Sequence, residues 1–207
     1  MVDTVRVSLG LGCCANVNEG LFTQMSGGSY KECSVMPLPA SLDQWREAHK
    51  TARKRADRAY ARGYVVWDMR TAGGPAWDAI NRSSSHRQGR RMAASYQSRS
   101  VVALVPESTC ARHATRVTGV TAPNGDLVAY LVMLRHGDLA LVSQILGHAD
   151  HLENGVMWLL FEHALDREIA ADKAGVVVYN RHDSGTDGLR WWKERAGFRE
   201  EVVEWLP

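Results

Sequence analysis

The chain has 207 residues, 45% hydrophobic and 23% charged, proportions that suit a globular domain able to bury a sizeable core. No stretch approaches the roughly 18 apolar residues that cross a bilayer, and the opening MVDTVRVSLG carries an early acid and no long apolar run, so the chain is expected in the cytoplasm, away from membranes. The net charge of +2 conceals a split: residues 45–99 hold 13 Lys and Arg against four acids, whereas residues 100–207 hold ten against 15. Positive potential gathered in one part of the chain favours an anionic partner.

Taken in order, TVRVSLGL at 4–11 alternates Val5, Val7 and Leu9 and predicts a first strand. Residues 12–40 are rich in Gly, Ser and Asn and predict an irregular connection with one short strand near 31–36. Ser41 followed by Gln44 forms a capping box that opens a helix running to Gly63. That helix sets Arg46, Lys50, Arg53, Lys54 and Arg58 on one face against a narrow stripe of Trp45, Ala48, Ala52, Ala56 and Ala59. A strand at 64–69 and a helix from Pro75 to Ser84 follow.

From about residue 115 the pattern changes to three successive strands. Their turns fall at Pro123–Asp126 and at His136-Gly137-Asp138, where glycine supplies the positive φ of a tight hairpin. An amphipathic helix is predicted over 155–170. GVVVYN at 175–180 then reads as a strand buried on both faces. A helix over 188–197 and a terminal strand, FREEVVEWL, close the order β-α-β-α, meander, α-β-α-β. No repeat or heptad run is present, which excludes solenoids and long coiled coils.

LVAYLVM opening from a Gly-bearing hairpin, LALVSQILGH, and AGF at 196–198 together resemble the GCN5-related N-acetyltransferase (GNAT) superfamily over about residues 60–207. The resemblance implies one α/β (α+β) domain over 1–207: a mixed, mostly antiparallel twisted sheet flanked by helices. Residues 1–62 would form an N-terminal strand, irregular segment and basic helix, and 63–207 the core. It also implies an acyltransferase using acetyl-CoA or another acyl-CoA. Two departures stand out. The pyrophosphate loop, Arg or Gln followed by spaced glycines, is replaced by HADHLENGVMW, and the family's common Tyr before the last Gly is Lys193. The Trp-Lys pair ahead of Ala-Gly-Phe, with INRSSSHRQGR upstream, is similar instead to the Fem-type branch, whose donor is aminoacyl-tRNA.

Loop 147–155 is the expected carrier site. Helix N-termini offer unpaired N–H groups and partial positive charge, so Glu153, Asn154 and Gly155 are expected at a phosphate, with Asn154 as the cap. His148, at the end of the presumed splayed strand, is the candidate general base, with Asp150, His151 and Glu153 as alternatives. Tyr179 is the candidate acid for the leaving group, and packing in the core is its other reading. Lys193 is expected either to meet a phosphate as a point charge or to be a solvated helix residue. Asn180 and Ser184 in the neighbouring turn are further binding candidates. Met157, Trp158, Trp191 and Trp192 are expected in the core.

Arg87, Gln88 and Arg90 around Gly89, with Tyr96 and the basic helix, make a clamp for an anionic acceptor such as DNA or RNA. A phosphorylated small molecule satisfies the same clamp, and a non-catalytic nucleic-acid-binding module on this fold is the rival reading. The four cysteines, 13, 14, 33 and 110, lack zinc-type spacing and are expected reduced and mostly buried. Metal ligation by Cys13, Cys14 or Cys33 with a histidine, or by His148 with His151, is the alternative there.

Overall fold

A computed structural model describes residues 4–10, 32–87, 90–92, 102–105, 110–182 and 185–206. Its centre is an eight-stranded sheet built from β1 (Thr4–Ser8), β2 (Glu32–Pro37), β3 (Val65–Met69), β8 (His113–Thr121), β9 (Leu127–His136), β10 (Leu139–Gly147), β11 (Val176–Arg181) and β12 (Arg199–Leu206). The spatial order is β1-β12-β2-β11-β10-β9-β8-β3. Two pairs, β1 with β12 and β10 with β11, are parallel, and the others are antiparallel. Two small ribbons, β4 (Thr71–Ala72) with β7 (Ala103–Leu104) and β5 (His86–Arg87) with β6 (Arg90–Arg91), lie outside it. This is the mixed, mostly antiparallel sheet flanked by helices that the resemblance implied.

The meander forms where apolar runs and turn chemistry place it. Asn124 and Asp126 hydrogen-bond each other around Gly125, whose φ is 90°. Gly137, at φ 60°, serves a second purpose, since an added Cβ would overlap the Ser8 carbonyl oxygen. Asp138 N–H donates to that same oxygen at 2.8 Å, so the hairpin tip docks on the end of β1.

Alternation also sorts side chains to two faces. On one lie α1 (Leu42–Ala48), α2 (Lys50–Ala61), α4 (Val156–Ala171) and α5 (Asp187–Ala196), which bury Trp45, Leu160, Phe161 and Phe198 against Leu131, Met133 and Val177. On the other, α3 (Pro75–Arg82) stacks Trp77 on Tyr130 at 3.6 Å. β11 buries Val177 and Val178 on opposite faces, as its continuous apolar run requires. Phe161 is fully buried, and truncation of such a side chain costs about 3–5 kcal/mol. Among the described residues no helix is long and apolar enough to cross a membrane.

One expectation is corrected here. The single helix from Ser41 to Gly63 is two helices, parted at His49, whose φ and ψ are −117° and 59°. Ser41 caps α1, accepting from Gln44 N–H, but the returning Gln44 side chain accepts from Ala40 N–H rather than from Ser41. The break lets Trp45 point its indole N–H at the Ala196 carbonyl, 2.8 Å away, while Ala52, Ala56 and Ala59 stay buried in the core beside α4. Ala48, expected in the same stripe, is therefore exposed. Cys33 is buried, Cys110 is half-buried, and neither is in a disulfide; Cys13 and Cys14 lie outside the described residues.

Candidate active site

β10 and β11 pair in parallel over only three positions, Leu139 with Val176, Ala140 with Val177 and Leu141 with Val178. Beyond them β10 bulges between Val142 and Gln144 and follows β9, while β11 stays with β2 as far as Arg181. The strands part, and past Leu141 the edge of β10 that faces β11 has no strand partner among the described residues.

A cavity of about 590 Å³ occupies this gap. Ile145, Leu146 and Gly147 line it from β10, Tyr179 from β11, and Met157 and Trp158 from the first turn of α4. Leu189, Trp191 and Trp192 of α5 close another side. Among the described residues, the charged ones at its walls are Arg55 of α2 and Arg87, and no carboxylate lines it. Aromatic walls with positive charge and no negative charge suit an anionic ligand that carries an apolar part.

The four residues expected to be core, Met157, Trp158, Trp191 and Trp192, thus all border the cavity. Trp158 and Trp192 are also buried, whereas Trp191 is 39% exposed. Tyr179 is at the cavity too, 6% exposed, with its ring edge-on to Trp192. It is both core and wall.

The 147–155 segment differs from the open loop the sequence suggested. Ala149–Asn154 is a 3-10 helix, and the N-cap of α4 is Gly155 rather than Asn154. The Asn154 amide N–H donates to Tyr64 Oη at 2.8 Å, and its oxygen accepts from Arg62, so the side chain ties the 3-10 helix to the end of α2. Gly155 has φ 90°, and an added Cβ would overlap the carbonyl oxygen of Arg55. Glycine is needed there because α2 passes against α4. That carbonyl occupies the side of Gly155 where a Cβ would stand, so the room left by the missing side chain is filled by α2 rather than by a ligand. Glu153 is exposed and does not line the cavity.

His148 does not line the cavity either. Its backbone N–H donates to Val128, and its ring Nδ1 accepts from Asp150 N–H at 3.4 Å, a cap for the 3-10 helix. The His151 ring lies 5.5 Å away and engages Tyr64 Oη. Among the described residues no three His, Cys, Asp or Glu gather as a metal site would require.

Lys193 is wholly buried, contrary to its reading as a solvated helix residue. Its ammonium donates to the His182 carbonyl at 3.4 Å and stands 5.2 Å from the centre of the Tyr179 ring. It does not line the cavity.

Arg87 does reach the site. Its guanidinium donates to the carbonyls of Gly147 and Ile80, both at 2.8 Å, and to Ser83 Oγ at 2.9 Å, clamping the end of β10 to α3. Burial holds its pKa below the ordinary guanidinium value. Its buried Nε has no hydrogen-bond partner among the described residues. The backbone of Arg90 pairs with Arg87. The Arg90 and Asn180 side chains, Gln88, Tyr96 and Ser184 lie outside the described residues.

The expected basic face is partly neutralised. Arg46 pairs with Glu162 and Asp57, and Lys50 and Arg53 both pair with Glu47. Arg55 was missing from that face, although its spacing was legible: it lies three residues after Ala52 and four before Ala59, at the margin of the buried stripe.

No protein-family model matches the chain, and no curated protein matches it. Among solved structures, L-PGS from Bacillus licheniformis aligns over 83% of this chain with 12% identity and a TM-score of 0.49. A GCN5-related N-acetyltransferase from Kribbella flavida aligns over 90% with 13% identity and a TM-score of 0.45. A tandem GNAT protein from the clavulanic acid biosynthesis pathway aligns over 97% with 15% identity and a TM-score of 0.47. The chain spans 58%, 62% and 59% of the length of these three proteins, respectively.

Proposed function

We propose that this chain is an acyltransferase of GNAT-like fold, in which the gap between β10 and β11 receives the acyl-bearing end of an anionic carrier. The observation that carries the reading is the parted parallel pair: three paired positions, then a cavity with aromatic walls and two guanidinium groups. An acyl or aminoacyl group lying there is open to direct attack by an amine or hydroxyl.

In such a step the new C–N or C–O bond forms as the bond to the carrier's sulfur or oxygen breaks. The β11-facing edge of β10, which has no strand partner among the described residues past Leu141, is where backbone N–H groups would meet the oxyanion. Tyr179, on the cavity wall, is the group suited to protonate the departing thiolate or alkoxide, and the proton shed by the nucleophile restores the phenol. His148 has no such access. The donor in this reading is acetyl-CoA or another acyl-CoA, or else aminoacyl-tRNA. The acceptor is an anion, DNA or RNA included, and its attraction rests on Lys54 and Arg58, which are exposed on α2.

Calorimetric titration with acetyl-CoA and with an aminoacyl-tRNA, alongside native mass spectrometry of the purified protein for a retained carrier, tests the proposal. Saturable binding of one donor is expected. Binding of neither overturns it and favours the non-catalytic module, a reading that the obstructed flank of Gly155 supports.

A further inference from the structure

We infer that the carrier's phosphate is held by a guanidinium rim, Arg55 and Arg195 around Trp191, and not by the amides at the start of α4. This deepens the acyltransferase reading and rests on it.

Arg55 enters the argument twice. Its carbonyl oxygen stands where a Cβ of Gly155 would be, at the start of α4. Its guanidinium turns to the cavity and stands 5.5 Å from the centre of the Trp191 ring. The backbone of this residue repels an anion on one side while its side chain attracts one on the other.

Arg195 joins it from α5. Four residues after Trp191, on the same helix face, it brings a second guanidinium to 6.0 Å from the same indole centre. Both are attracted by the negative face of the ring, but that attraction leaves two positive charges unneutralised. Some arginines of the chain are compensated: Arg46, Arg53, Arg116, Arg135 and Arg167 each have a carboxylate within ion-pair distance. Among the described residues neither Arg55 nor Arg195 has one. Trp191 at 39% exposure keeps the rim open to solvent.

Arg55 lines the cavity and Arg195 reaches the same indole from α5 without lining it, and two guanidinium groups on one aromatic platform are suited to a phosphate ester. Guanidinium groups bind phosphate oxygens with two parallel hydrogen bonds, each charge-assisted. The apolar tail beyond the phosphate then runs toward Leu189, Trp158 and Tyr179. Both candidate carriers have this chemistry, since coenzyme A thioesters and the 3′ end of aminoacyl-tRNA each join phosphate to an acyl ester.

The test compares donors with and without phosphate on wild type, Arg55→Ala, Arg195→Ala and the double variant. One arm uses acetyl-CoA against S-acetyl-pantetheine; the other uses aminoacyl-tRNA against 3′-aminoacyl-adenosine. Wild type is expected to prefer the phosphorylated member of one pair. Each single substitution should weaken that member about tenfold, the worth of one charge-assisted contact, and leave the phosphate-free member unchanged. Melting temperature controls for folding. Arg55→Lys, which keeps charge and loses the fork, should fall between wild type and alanine.

If wild type binds a phosphorylated donor and the double variant binds it equally well, the rim assignment is overturned and the acyltransferase reading stands. If wild type binds neither pair, both fall together.

Discussion

Replacing Gly155 by alanine separates two reasons for a glycine at the start of α4. In the structure its φ is 90°, a conformation costing an L-residue about 1–2 kcal/mol. The new Cβ would overlap the Arg55 carbonyl oxygen and lie 3.0 Å from its carbon, so α2 must move from α4. Overpacking of that kind adds about 1–3 kcal/mol. A total near 3 kcal/mol lowers Tm by roughly 6–12 °C in a chain of this size. Gly125→Ala is the control, because Gly125 has the same φ and nothing within 4 Å of its would-be Cβ. It should lose only the backbone part, about 2–8 °C. Thermal melts of both variants, followed by circular dichroism, measure the difference. Equal losses at the two sites would refute the close approach of α2. A Gly155→Ala protein with unchanged Tm and abolished donor binding would restore the anion-loop explanation.

Tyr179→Phe keeps the ring contacts and removes the hydroxyl; transfer should slow by about 10²–10⁴-fold with donor affinity little changed, as measured by single-turnover kinetics. Glu168, 1% exposed, holds both Arg135 and Arg116. Glu168→Gln leaves buried guanidinium charge uncompensated and should cost about 3–5 kcal/mol in urea unfolding. His136 has its pKa lowered to about 4, first by burial and then by His113. Its folded-state pKa lies below the unfolded value, so the unfolded chain takes up the proton first as pH falls. Stability from this group is therefore complete above about pH 6.5 and is lost as pH falls toward 4. Because the ring is partly exposed, screening limits the loss to about 1–2 kcal/mol, and urea melts of wild type and His136→Asn at pH 7.5 and 5 should show it only in wild type.

Most of the strand and helix order could be read from the chain because its signals are local. The apolar runs at Val128–Met133, Leu139–Val142 and 176–179, and the glycines at 125 and 137, each determine an element without help from afar. The break at His49 has no such signal, for it depends on Trp45 finding the carbonyl of Ala196. Gly155 misleads for the same reason. A glycine that admits a ligand and one that admits another helix look identical in sequence, and the neighbour here is Arg55. Lys193 looked exposed because its helix carries charges on every side, yet Trp192 and Lys193 turn inward together. The cavity's position followed from the fold resemblance, whereas its arginine rim required knowing which residues of α2 and α5 face each other.

β2 lies between β11 and β12, antiparallel to both. An early segment is thus clasped by two that lie far from it in sequence, and among the described residues the strand partner of β1 is β12. Those pairings span most of the chain, which raises contact order and slows folding. The meander and α4 form from neighbouring residues and can settle first. Amides at 32–36 and 199–206 should therefore gain hydrogen-exchange protection in one late, shared step, after those of β8 and β9.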